Sequence, residues 1–221
     1  MSMTPLDFWT TCSANDILLE KEQVDALKRY HDELIYWNAK VNMISRKDEV
    51  NVWDRHILHS LTILKYVNIR PKARVLDVGT GGGLPGIPIK IARPDLKMLL
   101  VDSIKKKATM AAMFAQHTML KDISVQAARC EDLAREPHYI GSFDVVISRA
   151  VARTAMLLDW VRPLVKPNAV CAFLKGGDLN EEIAEAKAAF QGVRIDTIPL
   201  EIFGVPMFTQ DEKKVVVCRF S

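Results

Sequence analysis

Gly79, Gly81 and Gly83 follow the apolar run "VLDV" at alternate positions. Residues without a Cβ can take positive φ and let a ligand lie directly against the main chain, which suits a nucleoside or a phosphate. Pro85 and Pro88 come next, and proline is tolerated in the first turn of a helix, where missing N–H groups cost little. Asp102 closes the run "KMLLVD" roughly twenty residues further on, where an acidic side chain at the next strand tip accepts hydrogen bonds from ribose hydroxyls. Ser103 follows it, and a second carboxylate, Asp77, sits inside the glycine turn itself. Gly81, Gly83 and Gly86 also fit the GxGxxG spacing that places a pyrophosphate on helix amides. The loop alone therefore leaves open whether the ligand is a dinucleotide or another nucleoside cofactor.

Other residues could carry chemistry, each with a structural reading beside it. Arg149 ends "FDVVISR" and Lys175 ends "AVCAFLK", both at strand tips where open α/β sheets bind ligands, although an ordinary strand-end ion pair is the alternative. His56 and His59 stand three apart as two metal ligands would, but no third ligand lies nearby, so satisfied or surface histidines are expected and no metal site. Tyr30, Trp37 and Trp53 fall at helical spacing, which marks core residues more often than a platform for an extruded base. Lys105, Lys106 and Lys107 open a helix beside Asp102 and are either a solvated face or phosphate contacts.

The elements that position these groups are legible in the periodicity. From about Asn15 to Met43, apolar residues recur at three- and four-residue spacing without Gly or Pro, predicting one long amphipathic helix. "DEVNVWDRHILHSLTILKYV" repeats the pattern and predicts a second. Together they make an N-terminal helical extension over 1–70, followed by a principal domain over 71–221. There the pattern changes to seven short β-branched runs, "RVLDVG", "KMLLVD", "ISVQAA", "FDVVISR", "AVCAFLK", "RIDTIPL" and "KKVVVCRF". Helical segments or a short turn separate the first five, and "DLNEEIAEAKAAF" precedes the sixth. Such alternation predicts an α/β fold with a mostly parallel sheet covered on both faces. "EIFGVPMFTQDE" has no helix pattern, so the last two runs are expected to form an antiparallel hairpin that puts the seventh strand inside or beside the sheet. Seven strands, a terminal hairpin and Asp77 in the turn favour a cofactor with a cationic amino-acid end and no phosphate. That describes S-adenosylmethionine.

Composition sets outer limits. The 221 residues, 49% hydrophobic and 26% charged, suit one well-buried globular core. No apolar run reaches a membrane span, and the first residues lack the basic and apolar regions of a secretory signal, so a cytoplasmic protein is expected. Four cysteines, Cys12, Cys130, Cys171 and Cys218, are widely spaced and form no CxxC pair, so reduced thiols are expected. A net charge of +3 permits a nucleic-acid partner without demonstrating one.

Several stretches together are more specific than the glycines. "YWNAKVNMIS" (36–45), "WDRHILHSL" (53–61), "LDVGTGGGLPGIP" (76–88), "VDSIKKK" (101–107), "ARCEDL" (128–133), "ISRAVA" (147–152) and "FLKG" (173–176) closely resemble the bacterial small-subunit rRNA methyltransferase G family, also called the glucose-inhibited division protein B family. The resemblance implies a Rossmann-like class I methyltransferase fold and S-adenosylmethionine-dependent methylation of N7 of a guanine in the 530 loop of 16S rRNA in the small ribosomal subunit. It carries cofactor contacts onto Gly79, Leu84, Cys130 and Glu131, with the latter two near the adenine, a ribose contact onto Asp102, and a place in the cofactor site onto Arg149. A monomer without a metal is expected. One position departs: the family commonly reads "RHILDS", and His59 stands where that Asp would be. Guanine N7 carries an in-plane lone pair, so methylation there needs no general base, and positioning against the methyl donor becomes the enzyme's main task. Arg149 or Lys175 is expected near the target base, donating to guanine O6 rather than to N7. A nucleotide-dependent dehydrogenase and a non-catalytic RNA-binding module are the alternatives.

Overall fold

The computed structural model describes residues 3–220. The first two residues of the N-terminal segment read above for a signal lie outside it, as does the last residue of the chain.

Helix α1 (Pro5–Ala14) starts on a capping box, in which the Thr4 hydroxyl accepts the Asp7 N–H and the Asp7 carboxylate accepts the Thr4 N–H, with Pro5 just inside. Helix α2 (Lys21–Asn38) opens on a second box formed by Glu20 and Gln23. The long helix expected over 15–43 is thus shorter at both ends. Residues 17–20 form no regular element and bury Ile17 and Leu19. At the other end the Asn38 amide oxygen accepts the Met43 and Ile44 N–H groups while its nitrogen donates to the Ile44 carbonyl and Glu49. That side chain holds a chain reversal which competes with further helix.

The second expected helix is three pieces: a 3-10 segment (Arg46–Asn51), a π-helical segment (Trp53–Leu58) and helix α3 (His59–Tyr66). The wider π turn carries His56, and such turns gather at functional sites.

Beyond it lie the seven strands: β1 (Arg74–Val78), β2 (Lys97–Asp102), β3 (Ile123–Ala127), β4 (Phe143–Arg149), β5 (Val165–Gly176), β6 (Val193–Pro199) and β7 (Lys213–Phe220). Helices α4 (Gly86–Ala92), α5 (Lys105–His117), α6 (Thr154–Val161) and α7 (Asn180–Ala189) connect them, with a 3-10 segment (Cys130–Arg135) after β3. The connection expected to lack helix contains a single turn, α8 (Met207–Gln210), which buries Phe208.

The sheet order is β3-β2-β1-β4-β5-β7-β6. β7 slots between β5 and β6 and runs antiparallel to both, while the remaining pairs are parallel. The chain therefore leaves β1 in opposite directions on its two sides, toward β2 and toward β4. Between those strand tips opens the crevice in which doubly wound sheets bind ligands.

Alternation along the strands divides the core between two faces. On β1, Val75 joins a cluster with Phe8, Leu27, Leu34, Ile87 and Phe208, so α1, α2, α3 and α4 share one continuous core with the sheet. Leu76 and Val78 join the opposite cluster with Leu157, Leu158, Phe143 and Phe173. Asp77 follows Val75 by two and so belongs to the first face, beneath the glycine turn.

Candidate active site

Each glycine of the β1–α4 turn answers a different neighbour. A Cβ on Gly79 would collide with the Val151 side chain, and one on Gly83 with Ile87. A Cβ on Gly82 would stand 2.9 Å from Leu34 Cδ1 and 3.2 Å from Met43 Cβ, both in the N-terminal extension. On Gly86 it would lie 2.6 Å from Asp77 Oδ2. Only around Gly81 is there nothing within 4 Å, and its φ of +55° is left-handed. The turn thus presents Gly81 to open space while its other glycines admit protein.

Two carboxylates hold this turn. Asp77 is fully buried, and its Oδ2 accepts the Thr80 hydroxyl at 2.6 Å and the Gly86 N–H at 3.0 Å, while Oδ1 has no partner. Burial pushes its carboxyl up to about 7, against the pull of those two hydrogen bonds and of Arg149. Asp102 accepts the Gly81 N–H on Oδ2 and the Ile104 N–H on Oδ1, each at 2.8 Å. Each oxygen keeps further lone-pair capacity for ligand hydroxyls.

A cleft of about 560 Å³ spreads from this turn across the tips of β4 and β5. Gly79, Gly81, Leu84 and Asp102 line one end, and Arg149, Lys175, His56 and His59 line the other. A smaller cavity of about 190 Å³ shares Gly79 and Asp102 with it and adds Ser103, Cys130 and Glu131. The structure thereby gathers nearly all the candidate residues around two adjoining spaces. The exceptions are Asp77, which lies beneath the loop, and Gly83, which packs against Ile87. Cys130 is buried and its thiol is pushed up to about 12, so it enters the cavity as a small neutral side chain rather than a nucleophile.

At the far end Arg149 Nη1 lies 2.7 Å from His56 Nδ1 and donates to the Arg55 carbonyl at 3.3 Å. A guanidinium has no lone pair to offer, so His56 accepts through Nδ1 and its proton resides on Nε2. That atom lacks a hydrogen-bond partner, with Asp48 Oδ2 at 3.7 Å. Burial first, and then the charges of Arg149, Arg55 and Lys213, drive the His56 imidazole down to about 3. His59, whose ring bonds the Arg55 backbone, is buried and driven well below its ordinary value by burial first and then by Arg149 and Lys213, and its Nε2 is also unpartnered. Both rings are neutral. Lys175 is committed differently: its ammonium lies 2.6 Å from Glu182 and donates to the Ala152 carbonyl at 2.5 Å.

The pair Arg149–His56 was not legible as a unit, because it joins the tip of β4 to the π turn of the extension. The signal available was His56 itself, weighed above only as a metal ligand. Among the described residues no group of three or more His, Cys, Asp or Glu could hold a metal ion. Trp53 is core, stacked against His31 at 4.8 Å and tilted on Phe8 at 4.8 Å, and Tyr30 is wholly buried.

Residues 23–203 match the family model described as "rRNA small subunit methyltransferase G". The chain belongs to that family. A "Ribosomal RNA small subunit methyltransferase G" from Chlorobium luteolum is 39% identical, the match covering 93% of this chain and 85% of that protein. One from Chlorobaculum tepidum is 37% identical over 95% of each chain. Among solved structures, a putative methyltransferase in complex with the Haloferax volcanii Trm112 activator superposes with a TM-score of 0.62 at 17% identity, covering 85% of this chain and 97% of that one. A SAM-dependent methyltransferase from Aquifex aeolicus gives 0.53 at 18% identity, covering 72% and 88%. At such identities the likeness establishes the Rossmann-like fold, and the family assignment rests on the sequence relatives. No helix among the described residues is long and apolar enough to cross a membrane.

Proposed function

We propose that the protein transfers a methyl group from S-adenosylmethionine to N7 of a guanine in 16S rRNA, in the 530 loop by the family resemblance. The observation that carries this reading is one cleft with two chemically distinct ends: Gly81 and Asp102, which suit a ribose against bare backbone, and Arg149 with two neutral imidazoles. When bound, S-adenosylmethionine supplies an electrophilic sulfonium methyl. Gly79, Gly81, Leu84 and Asp102 would hold it, with Ser103, Cys130 and Glu131 around the adjoining cavity.

The chain's own residues then have to orient an acceptor. Guanine N7 attacks through a lone pair already in the ring plane, so no proton leaves before or during transfer. His56, driven to about 3, is a poor general base near neutral pH and instead fixes the Arg149 guanidinium by accepting from it. In this reading Arg149, which lines the cleft, donates to guanine O6 and leaves N7 free to react. Holding the two reactants in line is worth on the order of 7 to 11 kcal/mol in favourable cases. Lys175, tied to Glu182 and Ala152, shapes the wall beside it.

Incubation with labelled S-adenosylmethionine and, in separate reactions, small ribosomal subunits, free 16S rRNA and ribosomal protein tests the reading. The expected result is label on one guanine of the RNA, lost on mild depurination as an N7-methylated base is. Label on protein, on another base, or nowhere would overturn it. A nicotinamide-dependent activity would restore the dehydrogenase reading, which family membership argues against.

A further inference from the structure

Helix α2 carries two kinds of lysine. Lys21 and Lys28, along its first turns, pair with Asp25 and Asp32 at 2.6 Å. Lys40, just past its end, has no carboxylate within 4.0 Å among the described residues and lies 4.4 Å from the ring centroids of both Tyr36 and Trp37. Its ammonium donates to the Tyr36 hydroxyl at 3.1 Å. Tyr36 is 60% exposed, a large aromatic face left in water. Trp37 is anchored from behind, its Nε1–H donating to Glu33, and meets Tyr36 edge-on at 5.3 Å.

This corner borders the cleft. Lys106 donates to the Lys40 carbonyl at 3.1 Å, which joins the corner to the first turn of α5. Lys105 and Lys107 flank Lys106, Lys107 lines the cleft, and no ion pair engages any of the three among the described residues. Met43, three residues after Lys40, lines the same cleft and abuts Gly82. Arg46 and Lys47, exposed and likewise without an ion-pair partner there, extend the charge along the rim. Aromatic faces interleaved with unpaired cations are the arrangement that binds single-stranded nucleic acid, through stacking of bases and attraction of phosphates.

We propose that Tyr36, Lys40 and Lys106 form a docking surface for a single-stranded RNA segment next to the target guanine, with a base stacked on Tyr36 and phosphates on the two lysines. This rests on the RNA-substrate reading above and specifies how that substrate is held. The aromatic ring is sequence-tolerant, so the surface supplies grip while the cleft selects the base. An unstacked neighbour at this corner also suits a target that must leave its own stack to reach the cleft.

The experiment measures binding and turnover separately, using the full chain, a 16S rRNA transcript and a short uridine oligonucleotide as the sequence-neutral probe. Tyr36→Ala should weaken the oligonucleotide about tenfold, within the range measured for loss of one stacked base, and Tyr36→Phe should restore it. Lys40→Ala and Lys106→Ala should each flatten the slope of log affinity against log salt by about 0.7, as a lost single-strand phosphate contact does. For rRNA methylation the KM for RNA should rise while kcat and the dissociation constant for S-adenosylmethionine stay unchanged, which also reports that the variants fold. Unchanged oligonucleotide affinity and salt slope in the variants, with wild-type protein binding and methylating normally, would overturn the docking surface alone. Wild-type protein that methylates no RNA would instead overturn the reading on which it rests.

Discussion

Tyr30→Phe isolates a single hydrogen bond on which the glycine turn depends. The Tyr30 hydroxyl, fully buried, donates to the Gly82 carbonyl at 2.8 Å. The ring also meets Phe114 edge-on at 5.8 Å, a contact that phenylalanine would keep. The substitution thus removes one oxygen, preserves the packing and leaves a buried carbonyl without its donor. An orphaned buried acceptor costs about 1–3 kcal/mol. Taking about 2 kcal/mol, and about 2–4 °C per kcal/mol for a chain of this size, the melting temperature should fall by about 4–8 °C. The urea midpoint should fall with the slope m unchanged, since no surface is newly exposed. The bond also fixes the peptide next to Gly81, whose N–H is held by Asp102. Releasing it should therefore raise the dissociation constant for S-adenosylmethionine by about three- to tenfold, equivalent to roughly 1 kcal/mol, with no change in KM for RNA. Calorimetric titration and urea unfolding on the same preparation read both quantities. An unchanged midpoint would refute the value assigned to the bond, and a lowered midpoint with unaltered cofactor affinity would refute the claim that α2 positions the turn.

Three further outcomes follow from the same geometry. Gly81→Ala should strain the turn, whose φ of +55° suits glycine, and also weaken S-adenosylmethionine binding by placing a Cβ in the open cleft, whereas Gly82→Ala, pressing on Leu34 and Met43, should destabilise the fold with a smaller effect on binding; titration and unfolding compare the two. Arg149→Lys, which keeps the charge but loses the planar fork held by His56, should lower kcat by about ten- to a hundredfold with RNA affinity largely kept, and wild-type turnover in that variant would remove Arg149 from the reaction. His56 has a folded value near 3 against 6.5 unfolded, so between those limits the unfolded chain binds the proton that the folded one refuses, and stability is lost as pH falls below about 6.5. From pH 7 to pH 5 this one group removes about 2 kcal/mol. Since Asp77, raised to about 7, acts in the opposite sense over that window, the check is the difference in acid sensitivity between wild type and His56→Gln, measured by urea unfolding at both pH values.

The sheet was legible because each strand is a β-branched run stopped by turn residues or charge, and the antiparallel placement of the last strand followed from the lack of a helix pattern after "RIDTIPL", where only the single turn α8 forms. The helical extension was legible as helix but not in its breaks. Those are made by the Asn38 side chain reaching five and six residues ahead and by a π turn, neither of which disturbs the spacing of apolar residues. In the site, Gly79, Gly81 and Asp102 could be read from local spacing because turn and strand tip are close in sequence terms. The partner of Arg149 could not, since His56 lies 93 positions away and is brought to it only when α3 and the π turn pack on the sheet. Nor does spacing reveal that Gly82 is small for Leu34 and Met43 rather than for a ligand.

That last point bears on how the extension and the sheet divide the work. Gly82 admits α2, Tyr30 grips the Gly82 carbonyl, and Arg55 pairs with Asp211 at 2.9 Å ahead of β7, so the extension is fastened on both sides of the cleft. Between these anchors it supplies Met43, Asp48, Arg55, His56 and His59 to the lining of the cleft. In the proposed reaction a positive charge passes from a sulfonium to the purine ring, and the total charge in the cleft does not change. A site built for that step gains nothing from a group that takes up a proton, and two imidazoles kept neutral by burial and by neighbouring cations meet this condition. After transfer the cationic ring would face Arg149 and Lys213, which disfavours the product relative to the neutral guanine that entered. His59 bears on this balance: a neutral imidazole there does nothing to offset those cations, whereas a carboxylate in its place would. His59→Asp should accordingly slow release of methylated RNA while leaving the single-turnover rate intact, and an unchanged release rate would show that the charge at this position does not reach the bound base.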